Sequence, residues 1–447
     1  MTEGVPNSPL LTDLYQLTMM QAYLERGMTE TAVFEFFVRK LPETRRFLLA
    51  AGLAQVVEFL QELRVSDSDL AWLERSGHAN DRLLDYLAGL RFDGDVDAMS
   101  EGSVFFADEP ILRITAPLPV AQLVESRIIN LLHFETLIAS KAARIRLAAA
   151  DHLLVDFGMR RAHGAEAGML AARAAYLAGF EGSATVLAGK EFGIPLYGTM
   201  AHSFVLAHDD ELGSFEDFAR VHPDKTVLLI DTYDTLDGAH KVVEVAARLR
   251  DAGIKVRGVR LDSGNLDALS REVRGVLDAG GLRDVTIFAS GNLDEYAVQA
   301  LRADGAPVDG FGVGTRMDVS SDAPYLDCAY KLQEYAGRAR RKRSEGKATW
   351  PGRKQVYRRY DAKGRMEGDC ITLENAPVQG EPLLQPVMRG GELIAPLPNL
   401  EESREYALTQ LGRLPPALRE LAPRPSPYPV EIGAELDALA RRLDSAA

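Results

Sequence analysis

Cysteine is nearly absent from this 447-residue chain: Cys328 and Cys370 are the only two. Two thiols cannot build a disulfide framework or a cysteine-ligated zinc site, so neither class is expected. Long apolar runs are missing as well. The longest, Leu48 to Leu60, is interrupted by Gln55 and Glu58 and falls far short of the roughly 20 residues a membrane-crossing helix needs. The opening MTEGVPNSPLLTD has no basic stretch leading into an apolar run, so no signal peptide is expected and a reducing cytoplasm is the expected compartment. Positive charge is also in deficit. The formal net charge is -14 and the isoelectric point about 5.2, which excludes the broad basic face of a general nucleic-acid binder.

What remains is ordinary globular composition, 46% hydrophobic and 26% charged, in a chain long enough for two or three domains of roughly 150 residues. One local departure is the cationic segment RARRKRSEGKATWPGRKQVYRR, residues 338–359. Such a run can be a solvated loop or a binding surface for a small polyphosphate.

From about Pro119 to Tyr325 one pattern recurs. Short β-branched or apolar runs end in Gly, Asp, Ser or Thr and lead into amphipathic stretches: HLLVDFGMRR, SATVLAG, IPLYGTMAHS, TVLLIDTYDT, KVRGVRLDSGN, VTIFASGN and DGFGVGT. Strands alternating with helices predict a parallel sheet, and about seven in succession favour an irregular (β/α) barrel over an open sheet. Reacting groups are then expected at the C-terminal strand ends. Those ends carry Arg160, His202, Asp231, Asp262, Asn292 and Thr315. The flanks, residues 1–118 and 330–447, are expected to form a second α+β domain built from both termini around a barrel domain at 119–329.

Read as chemistry, GTMAHSF (198–204) offers the hydroxyls of Thr199 and Ser203 and the imidazole of His202, which could serve as base, ligand, phosphoryl acceptor or structural hydrogen-bonder. In ASGNLDE, Ser290-Gly291 reads as a tight turn, with Asn292 as helix cap and Glu295 at the third helical position. Such a turn suits a phosphate, and the glycine-spaced GFGVGT (310–315) can do the same or simply permit close packing. Asp231 and Asp262 could bind sugar hydroxyls, steady a cationic ribosyl centre, or hold magnesium through water. Asp234 reads as a helix cap and is left out of the site. Arg260 stands two residues before Asp262, on the same side of a strand, where it can clamp an anion.

These segments, together with LLTDLYQLTM (10–19), FEFFVRKLP (34–42), DFGMRRAHG (156–164) and KATWPGRKQVYR (347–358), resemble the nicotinate phosphoribosyltransferase family in the same order along the chain. No motif after Tyr360 contributes. The resemblance implies condensation of nicotinate with 5-phosphoribosyl 1-pyrophosphate to nicotinate mononucleotide and pyrophosphate, the first step of NAD salvage from nicotinate. It also implies ATP as co-substrate acting through a phosphohistidine at His202, with Mg2+ as cofactor and metal ligands left open. Asp231 and Asp262 would be catalytic. By the same likeness Phe157 stacks on the pyridine ring, Tyr15 covers its other face from the second subunit of a homodimer, and Thr199 and Arg260 hold the carboxylate. Arg39, Arg160, Ser290, Gly291, Asn292, Gly312, Gly314, Thr315, Lys347, Lys354 and Arg358 would bind phosphoribosyl pyrophosphate or product phosphates. The related nicotinamide enzyme carries an aspartate where Ala184 falls, which favours the anionic substrate. Nicotinamide phosphoribosyl transfer and a non-catalytic nucleotide-binding relic are the alternatives; quinolinate would need basic residues that are not placed.

Overall fold

The computed structural model describes residues 7–421 and 427–446. The chain divides into two compact units, one of residues 1–140 and 325–447 and one of residues 141–324. Where the sequence reading set boundaries near 118 and 330, the first division falls at 140/141, inside the helix Glu125–Ala149. That helix has neither glycine nor proline in its 25 residues, so nothing interrupts it at the division.

The central unit is built on six parallel strands in the order Gly182–Ser183, Leu153–Asp156, Gly310–Val313, Thr286–Ser290, Gly258–Leu261, Val227–Leu229. The unit's first strand in chain order, Leu153–Asp156, pairs with its last, Gly310–Val313, which is the cyclic order of a barrel. The seventh expected strand, IPLY, contributes only an isolated parallel bridge from Leu196 to Ser183. A second expectation shifts: in SATVLAG the strand is only Gly182–Ser183, and Val186–Phe192 is helical. Val186 and Leu187 are exposed there, and Gly193 ends the turn in the left-handed region, so the apolar run covers a helix surface rather than filling a sheet. Leu228, Leu229, Val259, Leu261, Ile287, Ala289, Phe311 and Val313 are buried, as strands covered on both faces require.

The terminal unit holds a seven-stranded sheet in which Thr31–Val38 lies between Cys328–Tyr335 and Pro110–Pro117, all antiparallel. A four-stranded sheet centres on Lys354–Tyr360 and Met366–Leu373. Both cysteines carry free thiols. No helix among the described residues is long and apolar enough to cross a membrane.

Candidate active site

Each strand end of the central unit delivers a short polar loop and then a helix. After Val227–Leu229 come Asp231 and Thr232, and Asp234 accepts hydrogen bonds from the N–H groups of Leu236 and Asp237 to start the helix Thr235–Leu249. Asp234 is therefore a cap, as expected. The next strand ends at Leu261, and Asp262 follows.

These loops converge on one another. Asp231 Oδ2 accepts from the Asp262 N–H at 2.9 Å and the Ser263 hydroxyl at 2.6 Å, while Asp231 Oδ1 is buried without a partner. His202 Nε2 stands 3.9 Å from Asp262 Oδ2, and its Nδ1 lies 3.1 Å from the Thr232 hydroxyl. Both the His202 and Asp262 side chains are 40% exposed, open enough to meet a ligand. Arg260 Nη1 donates to Thr199 Oγ1 at 3.0 Å, and its guanidinium carbon lies 5.9 Å from the centre of the Phe157 ring. Burial pushes the Arg260 guanidinium below its ordinary value and the charge of Arg160 pushes the same way, opposed by Asp262 and Asp231. Its Nε is buried without a partner. Phe157 is half-buried against Phe288, ring centres 5.8 Å apart. His202, Asp231, Asp262, Arg260, Thr199 and Phe157 thus form one group, and Arg160 reaches it electrostatically.

Other expected residues are placed differently. Ser290 is buried and its hydroxyl donates to Asp262 Oδ1 at 2.5 Å, so it orients that carboxylate and is not offered to a phosphate. Asn292 is not the cap; it follows Gly291 in a turn where both residues have positive φ, 100° and 52°. The cap is Asp294, accepting from Tyr296 and Ala297 N–H, and Glu295 is the first helical residue, buried and paired with Lys141 and Arg144. Gly312 lies inside its strand, buried, where a Cβ would sit 2.6 Å from the Phe157 ring. Its lack of a side chain seats Phe157, so the packing reading of GFGVGT holds at this position. Gly314 precedes the short helix Thr315–Asp318, and Thr315 Oγ1 accepts from Arg161 Nη1 at 3.3 Å. Arg161 had not been singled out; it is the neighbour of Arg160 and equally exposed. Thr232 and Ser263 were missed too, because a hydroxyl beside an aspartate carries no motif of its own.

In the terminal unit two expectations are overturned. Arg358 is fully buried and Asp369 holds it from both oxygens, at 2.5–3.2 Å. Lys354 is buried against Glu35 at 2.7 Å and donates to the carbonyls of Trp350 and Gly352. Neither cation is free to meet a phosphate. Arg39 pairs with Asp327 at 2.8 Å, Lys347 is exposed, and Tyr15 is 47% exposed on the helix Leu14–Glu25.

Comparison with known proteins places the chain in a family. The nicotinate phosphoribosyltransferase N-terminal domain matches residues 10–133, the nicotinate phosphoribosyltransferase family 152–342, and its C-terminal domain 374–440, reaching past Tyr360 where no motif had been read. Nicotinate phosphoribosyltransferase pncB2 of Mycobacterium tuberculosis is 50% identical over 424 residues, covering 95% of this chain and 91% of that protein. The Bacillus subtilis nicotinate phosphoribosyltransferase is 39% identical, covering 84% and 78%. The crystal structure of human nicotinic acid phosphoribosyltransferase matches with a TM-score of 0.87 at 32% identity, covering 97% of this chain and 99% of that one. That of nicotinate-nucleotide pyrophosphorylase from Pyrococcus furiosus matches with a TM-score of 0.75 at 27% identity, covering 92% and 97%. This chain belongs to the nicotinate phosphoribosyltransferase family.

Proposed function

We propose that the chain condenses nicotinate with 5-phosphoribosyl 1-pyrophosphate, forming nicotinate mononucleotide and pyrophosphate in NAD salvage, and that ATP hydrolysis is coupled to this step through a phosphate carried on His202. The observation that supports it most is the grouping of Phe157, Arg260 and Thr199 beside His202 and Asp262. An aromatic face with a cation and a hydroxyl at its edge suits a pyridine ring bearing a carboxylate. The Arg contact contributes roughly 1.5–3 kcal/mol and the ring contact about 0.5–1.5 kcal/mol beyond area burial.

The ring nitrogen attacks the anomeric carbon; a C–N bond forms as the C–O bond to pyrophosphate breaks, and the leaving oxygen takes the electron pair. The nitrogen of nicotinate has no proton to lose, so no general base is needed. Asp231 and Asp262 face the developing positive charge of the ribosyl centre, and Arg160, Arg161, Thr315 and the 291–292 turn face the phosphates. Arg39 and Lys347 are further phosphate contacts in this reading. Among the described residues no group of three acids, histidines or cysteines could hold a metal alone. A pyrophosphate-bound Mg2+ needs only one or two protein carboxylates, which the orphaned Asp231 Oδ1 and the accessible Asp262 fit. Bound there, it would neutralise charge on the leaving group. The exposed ring of Tyr15 is available to close the pyridine site of a second subunit in a homodimer. Ala184 is exposed and brings no carboxylate to repel the substrate, favouring nicotinate over nicotinamide.

His202→Ala is the test of coupling. The wild type incubated with labelled ATP is expected to acquire acid-labile phosphate and the variant none, at unchanged melting temperature. Label retained in the variant would move the acceptor elsewhere. Calorimetry showing both substrates bound, with no mononucleotide formed by the wild type, would favour a binding relic.

A further inference from the structure

Beneath the loop that carries Phe157 and Arg160, two carboxyl groups meet out of contact with water. Asp156 and Asp318 are 0% and 1% exposed. Asp156 ends its strand, its Oδ1 accepting from the Gly158 N–H at 2.8 Å and its Oδ2 from the Ser183 hydroxyl at 2.6 Å. Asp318 ends the short helix Thr315–Asp318 and packs its carboxyl on Gly158, where any Cβ would overlap it. Neither oxygen of Asp318 meets a backbone, hydroxyl or cationic donor. Asp156 is the group it faces.

Two ionised carboxylates buried together would add mutual repulsion to the desolvation of both. A single proton removes the conflict: a neutral Asp318 donates its O–H to Asp156, which then accepts from three donors. We propose that Asp318 acts as a neutral carboxylic acid that clamps Asp156 and so positions the loop presenting Phe157 and Arg160 to substrate. The same loop is held from its other side by the Phe157 N–H, which donates to Val313 O at 2.8 Å. This is a positioning role that rests on the reading of Phe157 and Arg160 given above.

The acid-base behaviour agrees. Burial, and then the charge of Asp156, push the Asp318 carboxyl up to about 9. The elements packed on its helix, Met159–Arg161 and Ala165–Leu177, bring Arg160, Arg161, Glu166 and Arg173, and its own helix brings Arg316, which pairs with Asp294. None of these is among the groups that shift Asp318. Between the ordinary carboxylate range and about 9, the unfolded chain releases a proton that the folded chain keeps. Stability therefore falls with rising pH across that window, and the clamp opens as Asp318 ionises.

Full-length wild type, Asp318→Asn and Asp318→Leu separate this from simple packing. Asn keeps a donor toward Asp156 without a titrating proton. It is expected to hold the nicotinate KM within about threefold at pH 7 and to abolish the alkaline loss of kcat/KM near 9. Leu removes the donor and is expected to raise that KM about tenfold or more. Equal defects in both variants, or an alkaline limb unchanged in Asp318→Asn, would overturn the proposal. A readout independent of catalysis is the infrared C=O band of a protonated carboxyl that wild type shows and Asp318→Asn lacks, a difference that separates it from the buried Glu109. It is expected at pH 7 and lost on titration through about 9; its absence at pH 7 would equally overturn the clamp. If the band is present while no mononucleotide is made, the functional reading has failed and the proton assignment has not.

Discussion

Arg358 in the terminal unit and Arg260 in the central unit both stand close to carboxylates, yet their surroundings put them to different uses. Arg358 is fully enclosed, gripped by Asp369 and flanked by Glu109, whose carboxyl burial pushes well above its ordinary range. Tyr428 adds a further donor to Asp369 at 3.0 Å. Arg260 donates to the neutral hydroxyl of Thr199 and has a half-buried aromatic face beside it. A cation enclosed and ion-paired to a buried carboxylate holds a fold together, while one at a strand end that meets a neutral hydroxyl is available to a ligand. The same contrast separates Lys354 from Lys347.

Breaking the enclosed ion pair should have the largest effect. Arg358→Ala leaves Asp369 buried and uncompensated, and is expected to cost about 3–5 kcal/mol in urea denaturation. Replacing both partners, as Arg358→Met with Asp369→Leu, should recover most of that loss. If the single variant keeps its stability and loses only phosphoribosyl pyrophosphate affinity, the residue belongs to the site after all.

Arg260→Ala should show the reverse profile. Loss of the carboxylate contact is expected to lower kcat/KM for nicotinate by about 10- to 150-fold, with little change in the denaturation midpoint. A large stability loss at intact kcat/KM would erase the distinction between the two arginines. The mildest change sharpens it at the surface: Lys347→Ala is expected to raise the KM for phosphoribosyl pyrophosphate by about two- to fivefold, an effect that shrinks as salt rises. A salt-independent change would point to packing.

The contrast also marks where sequence reading stops. Alternating apolar runs and small polar strand ends made the parallel barrel visible, because burial on both faces leaves a compositional trace in Leu228, Val259 and Ile287. Asp262, Arg260 and Phe157 lie at or just beside those ends, whereas His202 opens the helix His202–Leu206 after a segment that forms only the bridge at Leu196. Burial of a charged residue leaves no such trace. KATWPGRKQVYR reads as a phosphate-seeking run, and only its pairing with Met366–Leu373 shows that Arg358 points at Asp369. Ser290 was read for what it might offer a ligand, whereas it supports Asp262; Gly312, where phosphate binding and close packing both stood open, seats Phe157. The Asp156–Asp318 contact joins residues 162 positions apart, a separation no local pattern encodes.

The central claim is that the strand ends of the barrel unit carry out nicotinate phosphoribosyl transfer with ATP coupled through His202. Its most direct test is chromatographic measurement of mononucleotide and ADP from purified wild type and His202→Ala, given phosphoribosyl pyrophosphate, Mg2+ and either nicotinate or nicotinamide, with and without ATP. The account predicts nicotinate mononucleotide from wild type, more of it with ATP, ADP formed alongside, and no ATP stimulation in His202→Ala. Preference for nicotinamide, or ATP stimulation that survives in the variant, would contradict it.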